Sequence, residues 1–239
     1  MSSLRWLCIV ALAFAVTGCI KVDQTLTLNK DGSGTLNMRY GMSEQAIAQV
    51  EAMEKMGEAM QESGGEALDM DAERPFDLDF DEAKVREEFE AEGLEGVELA
   101  SVKSESVDGW RFMEMKLTFD NLTALKQTDY FDGSELSLSK DAEGNYVLTQ
   151  RSTDNGDDGD DEEMDPQMLK QMAAMFAGMR IANRVIVPTE IIETNATDID
   201  GRSASWVYDI EKDPTILSQI QNFNMRVVFS SEGTSIAMP

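Results

Sequence analysis

The chain has 239 residues, 20 of them basic and 46 acidic, no histidine and two cysteines, for a formal net charge of −26. That balance argues against nucleic acid as a partner and against a face that hugs anionic lipid headgroups. The absence of histidine removes Ser-His and Cys-His nucleophiles, histidine zinc sites and the usual pH switch together.

The first eighteen residues read as an export signal. Arg5 supplies the positive charge, and Trp6 through Val16 form an apolar run of signal-core length that is too short to span a bilayer. The run ends in Val16-Thr17-Gly18-Cys19, which resembles the bacterial lipobox. The expectation is cleavage after Gly18 and acylation of the Cys19 thiol. The competing reading, a free Cys19 after an ordinary export signal, is weaker because a lone exposed thiol is unusual in a secreted protein. Several acyl chains at about 0.8 kcal/mol per buried methylene give stable anchoring, and no later stretch reaches the roughly 18 apolar residues of a membrane-spanning helix. Ile20, rather than aspartate, follows the cysteine. In bacteria that sort lipoproteins by this position it resembles an outer-membrane-permissive signal, so the expected location is the extracytoplasmic face of a membrane, the outer one where there are two.

Residues 19–239 are expected to form one domain, which has no cysteine besides Cys19 to staple it. Charge is unevenly spread along it. Residues 51–100 hold 18 acids and 4 bases, and residues 153–165 hold 8 acids and no base. The spread predicts a near-balanced scaffold carrying two acidic, partly helical insertions, about 44–93 and 153–179.

In chain order, Ile20, Val22, Leu26 and Leu28 alternate with polar residues and predict a half-buried strand. After the turn Lys30-Asp31-Gly32-Ser33-Gly34 the pattern resumes with Leu36, Met38, Tyr40 and Met42, completing a β-hairpin. Ser43 is a candidate N-cap for a helix of about twenty residues, and Asp81 for another reaching about Glu92. Strands follow near 95–107 and 110–119, the latter with Trp110 and Phe112 on its nominally outer face. Asp120 is expected to cap a short helix, 121–127, and a hairpin of 134–140 with 145–152 comes next. Met164, Asp165 and Pro166 form a helix start, with Leu169 placed to staple back to Met164 and an end near Gly178. Strands near 180–187 and 190–195, another with Ala204, Trp206, Tyr208 and Ile210 inward, a short helix capped by Asp213, and a last strand bearing Phe223, Met225, Val227 and Phe229 complete the chain. The predicted fold is α+β: a mainly antiparallel, curved sheet of hairpins with helices packed on one face.

Three groups invite a chemical reading. Met168, Met172, Met175 and Met179 fall within about 60° on an ideal helix. Soft thioethers can hold Cu(I), but Leu169, Ala173 and Phe176 widen the same face, so core packing is the plainer role. The reading with functional content makes Met168, Met172, Met175, Phe176 and Met179 the lining of a groove for a lipid or another apolar ligand. The run 154–163 invites calcium, yet an EF-hand loop begun at Asp154 puts Gly156 where an oxygen ligand is needed. The register Asp77, Asp79, Asp81, Glu88 puts Glu82 where the loop needs glycine. No metal or other cofactor is therefore expected. No nucleophile elbow, phosphate loop or dinucleotide fingerprint occurs, so no catalytic residue is assigned and the chain is not expected to be an enzyme.

Cys19-Ile20-Lys21-Val22-Asp23 running into Leu28-Asn29-Lys30-Asp31-Gly32-Ser33-Gly34, and later Ile186-Val187-Pro188-Thr189-Glu190-Ile191, Asn195, Gly201 and Trp206, resemble the LppM-type bacterial lipoproteins. Thr189 stands where that family usually has glycine. The resemblance covers about residues 19–42 and 180–230 and rests on structural motifs. It implies a lipid-anchored α/β domain of the cell surface or periplasm with an apolar pocket and lipid or glycolipid binding, and no enzyme. The alternative function is an envelope interaction protein whose acidic loops, 153–163 above all, engage a basic protein partner.

Overall fold

The computed structural model describes residues 20–48, 52, 80–153, 178–213, 216, 219–220 and 222–237. Strand β1 (Ile20–Leu28) pairs antiparallel with β2 (Gly34–Ser43), Ile20 opposite Met42 and Leu28 opposite Gly34. The turn between them is closed by Asn29 N–H donating to the Ser33 carbonyl (2.8 Å), while the Asp31 carboxylate accepts from the Ser33 amide and hydroxyl. Gly32 sits at φ 92° there, a conformation that favours glycine, and an added Cβ would also press on the Ile236 side chain at 3.0 Å.

Strands β3 (Val97–Val107) and β4 (Trp110–Phe119) form the next hairpin, β4 lying against β2. Hairpin β5 (Ser134–Lys140) and β6 (Tyr146–Ser152) follows, then β7 (Arg180–Ile186), β8 (Ile191–Thr194), β9 (Asp198–Asp200), β10 (Ser203–Asp209) and β11 (Asn224–Phe229). They sort into two sheets: seven strands in the order β3-β4-β2-β1-β7-β10-β9, and four in the order β5-β6-β11-β8. Among the described strands, only β1 and β7 pair in parallel.

The mainly antiparallel expectation therefore holds, and α+β describes the chain coarsely. The finer expectation of one sheet covered by helices is corrected. The apolar face of the seven-stranded sheet, with Leu26, Leu28, Leu36, Leu117, Phe119 and Val185, packs on Leu136, Leu138, Leu148, Val227 and Phe229 of the second sheet, in one buried cluster. The reason is parity: β5, β6 and β11 each carry their own inward apolar row, and two amphipathic sheets bury those rows best against each other.

Helices are few among the described residues. Helix α1 (Glu82–Glu92) starts where Asp81 accepts from the amides of Ala83 and Lys84, and stops at Gly93, φ 61°. Helix α2 (Leu122–Leu125) is capped by Asn121, one residue later than expected: Asn121 is the extended residue that precedes the first turn, and its Oδ1 accepts from the Ala124 amide. A 3₁₀ turn follows at Asp129–Phe131. Ser43 accepts from the Ala46 amide and residues 44–48 are helical, while the rest of that expected helix and the 165–178 helix lie outside the described residues.

Asn195 ties the sheets together. Asn195 Oδ1 accepts from Trp206 Nε1 (3.2 Å) in the larger sheet and from the Arg226 amide (2.9 Å) in the smaller, while its Nδ2 donates to the Asn224 carbonyl. Thr189 donates its hydroxyl to the Ser230 carbonyl, beside the end of β11.

Candidate ligand cleft

The two sheets do not close on each other along their full length. Towards the Ile20 end of β1 they part around a cleft of about 680 Å³, inside the roughly 300–1,000 Å³ range of small-molecule sites. Its walls follow from strand parity and register. Val22 of β1 stands beside Tyr40 of β2 and Ile181 of β7, and Tyr208 of β10 continues the row. One step inward lie Gln24, Met38, Met115 and Asn183. The second sheet contributes Ser134, Gln150 and Met225, with Phe223 beside them.

Helix α1 closes a third side. Val85, Glu88, Phe89 and Glu92 all line the cleft, at the i, i+3, i+4, i+7 spacing that puts them on one helical face. Phe89 packs against the main core, and Glu82 accepts from the Ser104 amide (2.6 Å), fixing the helix to β3.

Several of the polar groups that line the cleft are tied to one another. Gln24 is 6% exposed, and its Oε1 accepts from the Tyr130 hydroxyl at 2.5 Å. Tyr130 as a residue is 37% exposed, yet its hydroxyl points inward, where burial pushes its pKa above the usual tyrosine value. Gln150 donates to the Ser134 hydroxyl (3.4 Å). At the mouth, Glu92 lies near Asp129 and Asp132, and its carboxyl is held above the ordinary range by partial burial first and by those two aspartates next.

Of the residues expected to line a groove, Met179 alone is described. It follows Gly178 (φ 73°) and precedes β7, so no helix carries it there, and it does not line this cleft. It is buried with Ile20 and Ile210 in a small second core, and its carbonyl accepts from the Ile210 amide at 3.1 Å. Met168, Met172, Met175, Phe176, Gly18 and Cys19 lie outside the described residues, as do Asp77 and Asp79 of the calcium register. Asp81 is occupied as the α1 cap, and among the described residues no group of three or more metal-ligating side chains is placed to hold a metal ion. No described helix is long and apolar enough to cross a membrane.

The residues missed from sequence are the three amides. Gln24 lies between Val22 and Leu26, Asn183 between Ile181 and Val185, and Gln150 next to inward Leu148. Each occupies an inward position in an otherwise apolar row, and a buried polar residue at such a position was the available signal.

No protein-family model matches the chain, and no curated protein matches it. Among solved structures the chain is similar to the folded domain of LppM from Mycobacterium tuberculosis, determined by NMR. The TM-score is 0.44 and the identity 13%, over 90% of this chain and 91% of that one.

Proposed function

We propose that the chain is an envelope lipoprotein, cut after Gly18 and held by lipid on Cys19, whose non-enzymatic domain carries an apolar ligand, a lipid chain being the natural one. The observation that carries this reading is the cleft between the sheets, walled by Val22, Met38, Met115, Ile181 and Met225, with the amides Gln24, Asn183 and Gln150 in its inner wall and carboxylates confined to the α1 and 3₁₀ sides. Its position supports the anchor. Strand β1 begins one residue after Cys19, and Val22 is about 10 Å of extended chain from it. A domain so tethered keeps this end of its sandwich near the membrane, where apolar chains are. The favoured location is the extracytoplasmic face, of the outer membrane in a cell with two.

Metabolic labelling with an alkyne fatty acid tests the anchor. The expected result is label on the wild type, lost in Cys19→Ala and retained in Cys8→Ala, and equal labelling of wild type and Cys19→Ala overturns it. Native mass spectrometry after extraction in mild detergent tests the ligand. A bound apolar molecule per chain is expected, and a ligand-free protein that takes up no fluorescent lipid refutes the reading.

A further inference from the structure

We propose that the cleft, on the reading that it holds an apolar chain, selects an amphiphile whose head carries a positive charge, an amine or quaternary ammonium. Four carboxylates line it on the α1 and 3₁₀ sides: Glu88, Glu92, Asp129 and Asp132. The one basic residue in its described wall is Arg39, and that guanidinium is engaged elsewhere. Its Nε lies 2.7 Å from Glu114 and its Nη2 3.2 Å from Glu105, and it stacks 3.5 Å over the Phe112 ring. An anionic head at this mouth would add to the Asp129 and Asp132 repulsion that, after partial burial, raises the Glu92 carboxyl, whereas a cation relieves that repulsion.

An aromatic side chain in the same wall points the same way. Tyr130 sits between Asp129 and Asp132 in sequence and is held at both ends: its hydroxyl donates to Gln24, and its ring meets Phe131 edge-on, 5.1 Å between centroids at 86°. An aromatic ring fixed beside carboxylates is the arrangement that attracts ammonium groups, through the ring's negative face as well as through charge. The described carboxylates are not gathered as a coordination shell, so a bulky organic cation fits better than a metal ion.

The test uses the full lipidated protein in nanodiscs of zwitterionic phosphatidylcholine. Three photoactivatable C16 probes, an amine, a carboxylate and an alcohol, are cross-linked at equal concentration, and labelled peptides are located by mass spectrometry. The amine should label the peptides bearing Met38, Met115 and Met225 about tenfold more than the carboxylate, the scale of one well-placed charge pair near a protein surface. In Glu92→Gln/Asp129→Asn/Asp132→Asn the ratio should fall to within about twofold, with alcohol labelling unchanged as the check on folding. Neutralising three exposed acids away from the cleft, Glu98→Gln/Glu143→Gln/Asp198→Asn, should leave the ratio intact. Equal amine and carboxylate labelling of the wild type, or an equal loss of preference in both triple variants, overturns the charge selection while leaving the apolar site standing. Failure of every probe to label the cleft overturns both.

Discussion

The same strands build the two ends of this sandwich, and they build them differently. At the Leu28 end, Leu26, Leu36, Leu136, Val227 and Phe229 are at most 1% exposed, and Tyr146 stacks on Phe229 with centroids 5.3 Å apart. At the Ile20 end the same inward rows carry Gln24, Asn183 and Gln150, and the sheets part around the cleft. Between them, where Leu26, Leu148 and Val227 meet, the free space shrinks to about 10 Å³. One end thus supplies cohesion and the other capacity, and the change occurs within two residues along each strand.

The largest effect that would break this comparison is in core truncation. Phe229→Ala empties a site with no exposure and should cost about 3–5 kcal/mol, whereas Met115→Ala, half-buried against open cleft, should cost roughly 1 kcal/mol. Urea titrations of both variants measure it. Similar losses would mean that the cleft end is as tightly packed as the core.

Much of the closed end was legible in sequence, because strict alternation in β1, β2, β4, β10 and β11 names its inward residues directly. Helix caps were legible to within a residue: Asp81 caps α1 as expected, while the α2 cap falls on Asn121 and not on its neighbour Asp120, two adjacent side chains that carry equally suitable capping oxygens. Alternation within a strand does not say which sheet the strand joins, so the second sheet went unseen and helices were expected in its place. The lining of this cleft is illegible in sequence for a related reason. The methionines that line it, Met38, Met115 and Met225, come singly from three strands whose proximity depends on pairings remote in sequence, with none of the helical spacing that marks 168–179. Trp110 and Phe112, awkward on an outer face, are explained locally: they stack on each other 5.8 Å apart, Lys21 lies 4.0 Å over Trp110, and Phe112 fills the space that Gly41 leaves without a side chain.

A smaller effect sharpens the comparison from within the cleft. Tyr130→Phe removes the bond to Gln24 and should cost about 0.5–1.5 kcal/mol, while Gln24→Leu/Tyr130→Phe, which removes both polar groups, should recover most of it. The pH dependence follows the direction of the tyrosine shift. The fold favours the neutral phenol, so its contribution is complete below the ordinary pKa of 10.0 and is lost as pH rises through the higher folded value. Wild-type denaturation midpoints should therefore fall above about pH 10 more steeply than those of Tyr130→Phe. Parallel alkaline limbs for the two proteins would show that the hydroxyl is not enclosed.

The smallest expected effect lies at the mouth, where the sign runs opposite to that of a salt-bridged carboxylate. The Glu92 pKa is raised by partial burial and by Asp129 and Asp132, so the folded chain binds this proton more readily than the unfolded chain. Ionisation of Glu92 consequently opposes folding. The opposition is complete above the folded pKa, fades as pH falls through it, and is gone below the ordinary value of 4.5. Glu92→Gln should thus be more stable than wild type at pH 7, by no more than about 0.5 kcal/mol because solvent screens an exposed group, and equal to it below about pH 4. Thermal melts of the two proteins across that range measure the difference directly. A core residue would show the reverse, a loss at every pH, so a Glu92→Gln protein that is less stable throughout would place this side chain with the packed end of the molecule and not with its open one.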